Sequence, residues 1–368
     1  MGILSDLRGR LLPPSSRSFH ELFAEVLWLH DDVCALREEA AMLREEIASL
    51  RKESFDMLDA HDTHSKMMLW PVLTRDGETD VEVKLRFFRE LPQAQGDFRL
   101  LQLGCGQLLF DFDELCASVG VEYMLMYGSL LGVVRHQGFI PWDDDLDVCM
   151  KREDIAALMA KVADDDRYQI TELFDWYAHC RQIRFKYSDP DNPCFIDLFI
   201  MDYASSVSDS SFARLLEIRQ EMIHEMDESE SLRHWREEER YLDASSEEAV
   251  IVDEIFRRYE KRMFDEGLYV SAENAVGLNW GIDNCYFDGN GNLSYSFKEL
   301  YPLARVPFEG RMLLAPADAD RVLRHSYGDY LELPADIHSH FHHVPRELLS
   351  EDAVRGAIRR SFSEVSSA

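Results

Sequence analysis

The residues best suited to chemistry crowd into one stretch, GSLLGVVRHQGFIPWDDDLDV, residues 128–148. It ends in the aspartates Asp143, Asp144, Asp145 and Asp147. Like charges this close repel unless a cation arrives. Asp143, Asp145 and Asp147 alternate, so on extended backbone they share one face. Leu146 and Val148 then point to the opposite, apolar face. A solvated turn has no need of that alternation. Carboxylates on one strand face suit Mg2+, a hard cation held by one or two carboxylates plus substrate phosphate. Mn2+ is the alternative ion.

The same stretch offers a phosphate end. Gly128 and Ser129 close an apolar strand and begin a helical run, where backbone N–H groups can approach a phosphate. Arg135 and His136 follow two turns on. Downstream, PCFIDLFIMD places Asp197 inside an apolar strand. A lone carboxylate there is costly to bury unless it is paired or metal-bound. Asp202 falls near the strand end and reads as a capping or turn residue. Lys186, in RFKY, is a candidate phosphate ligand, with a surface cation as the alternative.

These residues must be held by alternating helices and strands. LLFDFDELCASVG (108–120) is amphipathic and stops at a glycine. Strands are expected at 121–128, 145–150, 180–188 and 194–202, with a helix from Lys151 onward. Residues 205–267 are charged and helical, without a strand signal, and read as a helical insertion. Residues 283–297 read as a hairpin turning at Gly-Asn-Gly. A last helix precedes a polar tail at 346–368.

Ahead of this domain the pattern is heptad. Leu22, Leu29, Leu36, Leu43, Leu50 and Met57 recur every seven residues, interleaved with Val26, Val33, Ala40, Ile47 and Ser54. Leucine at one core position and β-branched residues at the other favour a parallel dimer. The flanking pairs Asp32–Arg37, Glu39–Arg44 and Glu46–Arg51 complement one another only in that orientation. The expected organisation is a leader at 1–18, a coiled coil at 19–58 and a connector at 59–98. A catalytic domain at 99–345 and the polar tail follow.

Composition narrows the function. The net charge of −31 argues against binding a nucleic-acid backbone, which needs a basic surface. No apolar run is long enough for a membrane helix. The opening MGILSDLRGRLLPPSS is too polar for a signal peptide and reads as a leader, with weak membrane contact as the alternative. Seven cysteines without a CxxC pair fit a reducing cytoplasm and give no zinc site.

Taken together, Gly-Ser at a strand-to-helix turn, acid-apolar-acid on a strand and a third acid on another strand resemble the polymerase-β-type nucleotidyltransferase fold. GSLLGVVRHQGFIPWDDDLDV as a whole resembles the signature of the LicD family. That family comprises phosphocholine-transferase-like proteins and fukutin-related ribitol-phosphate transferases. FIDLF and VPFEGRMLLAPADADRVLRHSYGDYLELP (306–334) follow in the family's order. The resemblance spans roughly 95–345 and omits the heptads.

It implies an α/β (α+β) nucleotidyltransferase core with a helical subdomain. Asp145, Asp147 and Asp197 would hold Mg2+, and Gly128, Ser129 and Arg135 would meet donor phosphate. Asp143, Asp144 and His136 would support the site from behind. The implied reaction takes a CDP-linked donor and moves its distal phospho-group to a sugar hydroxyl of a glycan, with release of CMP. A carboxylate could take the hydroxyl proton, Asp197 if metal binding does not use it fully. The location would be cytoplasmic, at most peripheral at the inner face of the membrane.

Other readings use the same residues or different ones. A nucleotidyltransferase moving NMP from an NTP would need the same three acids. A non-catalytic dimeric scaffold would need none of them intact. FRLLQLGCG (98–106) mimics the glycine-rich loop of a methyltransferase but lacks its third glycine. His338, His340, His342 and His343 lack a cysteine or acid at zinc spacing and read as surface or donor-pocket residues. Trp280 and Tyr286 could stack on a base, with a buried aromatic as the default.

Overall fold

The computed structural model describes residues 69–238, 241–285, 291–333 and 343–363. The leader, the heptads, Tyr286, His338, His340, His342 and the end of the tail lie outside the described residues. The chain divides into one unit at 1–74 and a second at 75–368, which carries everything below.

Two helices open the second unit, where a connector with short elements is expected. Helix α1 (Asp80–Glu90) starts at a reciprocal capping box. The Thr79 side chain accepts the Glu82 N–H, and Glu82 accepts the Thr79 N–H. Helix α2 (Gly96–Val119) ends at Gly120, whose left-handed conformation stops it. The LGCG of the methyltransferase-like stretch lies inside α2, so that reading fails: there is no glycine loop. Gly104 has a packing role instead. A Cβ there would sit 2.6 Å from Ile358 Cγ2 and 2.8 Å from Cys194 Sγ.

The sheet follows. It comprises β1 (Tyr123–Leu125), β2 (Asp147–Lys151), β3 (Tyr168–Asp175), β4 (Cys180–Tyr187), β5 (Phe195–Ala204), β6 (Tyr241–Asp243), β7 (Gly277–Trp280) and β8 (Ser294–Ser296). Its order is β1-β2-β5-β4-β3-β6, with β7 joining β5 and β8 joining β7. Among the described strands only β2 and β5 run parallel, with Asp147 opposite Asp197. On its other side β5 forks. Phe195–Asp197 pair with β4, whereas Met201–Ala204 pair with β7.

Helices cover both faces. Helix α3 (Tyr127–His136) links β1 to β2, and α4 (Arg152–Val162) follows β2. The helical insertion holds α5 (Asp209–Glu228), α6 (Arg233–Glu238) and α7 (Glu247–Asp265). It also contains β6, which the sequence did not signal. Only Leu242 of that strand is buried, too short a run for alternation to show. The expected hairpin at 283–297 is instead the pairing of β7 with β8. After α8 (Phe297–Leu300), β9 (Ala304–Phe308) and β10 (Arg311–Ala315) make a separate hairpin, and α9 (Ala319–Tyr327) follows.

The stretch read as a polar tail contains α10 (Arg346–Leu349) and α11 (Asp352–Ser363). Val354, Ala357 and Ile358 are buried at helical spacing, so α11 lays an apolar stripe onto the domain. Two cores result. One joins α2, α4, α11 and one face of the sheet, and the other joins the helical insertion to the β7–β8 region. Among the described residues no helix is long and apolar enough to cross a membrane.

Candidate active site

Strands β2 and β5 place the acids. Leu146 and Val148 are buried in the core, which turns Asp145 and Asp147 to the other side. The parallel register then sets Asp197 beside Asp147. Ligand oxygens of Asp145, Asp147 and Asp197 all lie within 4.8 Å of one another. Asp143 and Asp144 form a second such group with Asp145.

The Gly-Ser turn serves Asp147 directly. The Gly128 backbone amide favours the ionised form of the Asp147 carboxylate. Ser129 Oγ accepts the Asp147 N–H at 2.8 Å. A Cβ on Gly128 would meet Asp143 Oδ2 at 3.0 Å and Asp147 Oδ2 at 3.4 Å, so the absence of a side chain lets the turn close on the acids. Behind them, Gln102 Nε2 donates to the carbonyls of Ile140 and Asp143. Asp144 is fully buried and accepts the Val344 N–H at 3.0 Å, tying the acid loop to the chain's far end.

Two cationic groups reach these acids, and neither was singled out from the sequence as an acid's partner. Arg184 Nε donates to Asp197 Oδ1 at 2.8 Å, with its guanidinium 4.0 Å from the Phe195 ring centroid. His343 Nε2 lies 3.0 Å from Asp145 Oδ2. Arg184 stands opposite Asp197 in the β4–β5 register. Lys186, the strand's expected phosphate ligand, stands opposite Phe195 instead. His343 belongs to the histidine cluster, but its role depends on the chain returning across two hundred residues.

Burial and mutual repulsion dominate the electrostatics. Burial pushes Asp147 well above the ordinary carboxylate range, and Asp145, Asp197 and Asp143 push it further. Asp197 is also raised by burial, against the opposing charge of Arg184. Burial pulls His343 down, but the hydrogen bond and charge of Asp145 carry it above its usual value. An all-oxygen donor set of carboxylates this close together fits a hard divalent cation.

Arg135 and His136 are placed elsewhere. Arg135 is buried, donates to the Tyr330 and Glu332 carbonyls, and lies 4.2 Å from the Phe88 ring centroid. Burial pulls it down to about 10. Burial likewise holds His136 down at about 4, leaving it neutral between Phe88 and Trp142. Both fasten α3 to its surroundings. Asp202, expected to cap a turn, is a buried partner of Arg152, which grips it through Nε at 2.7 Å and Nη2 at 2.6 Å. Arg152 also bridges to Asp283, which Arg152 and Arg181 hold down at about 2 despite its burial.

The acids open onto a cavity of about 660 Å³. It occupies the fork in the sheet, between Gln182 and Ile183 of β4, Leu198 and Phe199 of β5, and Trp280 of β7. Tyr127, Phe199 and Trp280 pack together there, with centroid separations of 5.0 to 5.3 Å. Among the described residues, none of those lining the cavity is Arg or Lys.

Residues 120–235 match the family described as LicD/FKTN/FKRP, nucleotidyltransferase domain. The lipopolysaccharide cholinephosphotransferase LicD of Haemophilus influenzae is 26% identical over 263 residues, covering 66% of this chain and 94% of that protein. Uncharacterized proteins of Rickettsia prowazekii and Rickettsia typhi are 50% identical over 48 residues, 13% of this chain and 18% and 16% of theirs. All the clustered acids and Arg184 fall inside the matched domain, whereas His343 lies beyond it.

Proposed function

Because the chain belongs to the LicD family, we propose that it moves a phospho-group from a CDP-linked donor to a sugar hydroxyl of a glycan, with release of CMP. The observation that carries this reading is the triad Asp145, Asp147 and Asp197 lining one cavity. The core is read as a polymerase-β-type nucleotidyltransferase. The three carboxylates would hold Mg2+, which supplies neutralisation of phosphate charge when bound. Phosphoryl transfer needs positioning and charge more than covalent help, and these residues offer both.

The chain's own groups divide the work. Ser129 and Gly128 fix Asp147 against drift, and Arg184 and His343 orient Asp197 and Asp145. Asp197, raised by burial, is suited to receive a proton from the attacking hydroxyl. Phosphocholine is the favoured cargo over a polyol phosphate. A quaternary ammonium gains from the faces of Tyr127, Phe199 and Trp280 and from acidic walls without a competing Arg or Lys. The heptads are read as a parallel homodimer and the location as cytoplasmic.

The test is a turnover screen of CDP-choline, CDP-ribitol, CDP-glycerol and CDP-ethanolamine with Mg2+, with CTP as the competing substrate. CDP-choline is expected to lead, and Asp145→Asn to lose turnover by a factor of 10³ or so while keeping its melting curve. Unchanged turnover in that variant, or NMP incorporation from CTP alone, would sink the reading.

A further inference from the structure

We infer that Tyr177 is the stacking platform for the sugar ring of the acceptor, a subsite at the cavity rim. The inference rests on the transferase reading above. Tyr177 sits in the turn between β3 and β4 and lines the cavity, yet the residue is 73% exposed. Tyr327, also lining it, is 45% exposed. Tyr127 and Trp280, by contrast, lie deep. One cavity therefore has an enclosed aromatic interior and a solvent-facing aromatic rim.

The turn is built to hold its shape. Its N-terminal side is set by Asp175, which is buried and accepts the Tyr177 N–H at 2.8 Å. Trp176 packs edge-on against the buried Trp235 of α6, with centroids 4.9 Å apart. Arg219 of α5 donates to the carbonyls of Ala178 at 2.6 Å and His179 at 3.3 Å. His179 Nε2 pairs with Asp227 of α5 at 3.1 Å. Thus both neighbours of Tyr177 are fastened to the helical insertion, and Tyr177 between them is largely exposed. Fixing the backbone beneath an exposed ring in this way removes the ordering cost that a mobile loop would impose on a ligand.

Size assigns the ligand. About 660 Å³ is room for one small molecule, and the acids and inner rings already describe a donor-sized site. The acceptor must come to the phosphate from outside the space the donor fills. What it meets first is the rim. A flat aromatic face matches the apolar C–H face of a pyranose, and a phenolic hydroxyl can bond to its edge.

The experiment uses the full chain with CDP-choline, Mg2+ and a panel of methyl hexopyranosides. CMP release and phosphocholine transfer are measured together, giving the ratio of transfer to hydrolysis. For Tyr177→Ala that ratio is expected to fall about three- to tenfold through a raised acceptor KM. Tyr177→Phe should keep it. A ratio unchanged in the alanine variant would overturn the inference, as would a rise in donor KM without loss of partition toward sugar. A wild-type chain that releases no CMP from any CDP donor would instead remove the transferase reading, and this inference with it.

Discussion

Replacing Asp147 with asparagine should stabilise the metal-free protein and abolish its response to Mg2+. The side chain keeps its shape, but it loses its charge. Asp145 and Asp197 have ligand oxygens within 4.8 Å, and one like-charge pair at that separation costs roughly 3.5 kcal/mol at an effective dielectric near 20. Arg184 on Asp197 and His343 on Asp145 offset much of this. We expect a net gain of about 1–2 kcal/mol, or a few degrees in Tm.

The pH dependence has a definite sign. The folded-state pKa of Asp147 is raised above its ordinary 3.8. Its favourable contribution is therefore complete below that value and is lost as pH rises through the folded pKa. The stability difference between variant and wild type should widen with pH in EDTA. Excess Mg2+ should reverse the order, because only the wild type keeps all three carboxylates. Thermal melts over pH 4 to 8, with and without Mg2+, make the check. An Asp147→Asn variant that is less stable in EDTA at neutral pH, or that gains as much from Mg2+ as wild type, refutes the reasoning.

Two further substitutions probe the scaffold. Arg152→Ala leaves Asp202 and Asp283 buried without the guanidinium that bridges them, and should cost about 3–5 kcal/mol in a denaturant melt. A midpoint close to wild type would show that the bridge contributes little. Gly132→Ala would place a Cβ 2.4 Å from the Gly138 carbonyl, a backbone contact that cannot yield as a side chain could. It should destabilise by about 1–3 kcal/mol, as forced overpacking does, and lower turnover by shifting the loop that leads to the acids. Full stability and full turnover together would argue that this loop moves freely.

The acids were legible because alternation is a local signal. Leu146 and Val148 must be buried, and that alone fixes the side on which Asp145 and Asp147 emerge. Asp197 was legible because an acid between Ile196 and Leu198 needs an explanation. Arg184 was not, since its partner depends on the register of β4 against β5, which no local pattern encodes. Lys186, read as a phosphate ligand, lies one strand period from Arg184, two residues along the same strand. Arg135 misled because a cation near a phosphate-like turn has an obvious use. Its actual neighbours, Phe88 and the 330–332 carbonyls, come from far along the chain. The tail misled because its charged residues hide a narrow apolar stripe.

The fork in β5 separates two tasks that one strand would otherwise share. Its first residues, between β2 and β4, carry an acid whose place is fixed by neighbours on both sides. Its last residues lean on β7, a short arm that brings Trp280. Chain sequence can drift in that arm without moving Asp145, Asp147 or Asp197. A lineage built on this plan could therefore exchange one cargo for another by rewriting β7 and the rim, while inheriting its reaction centre intact.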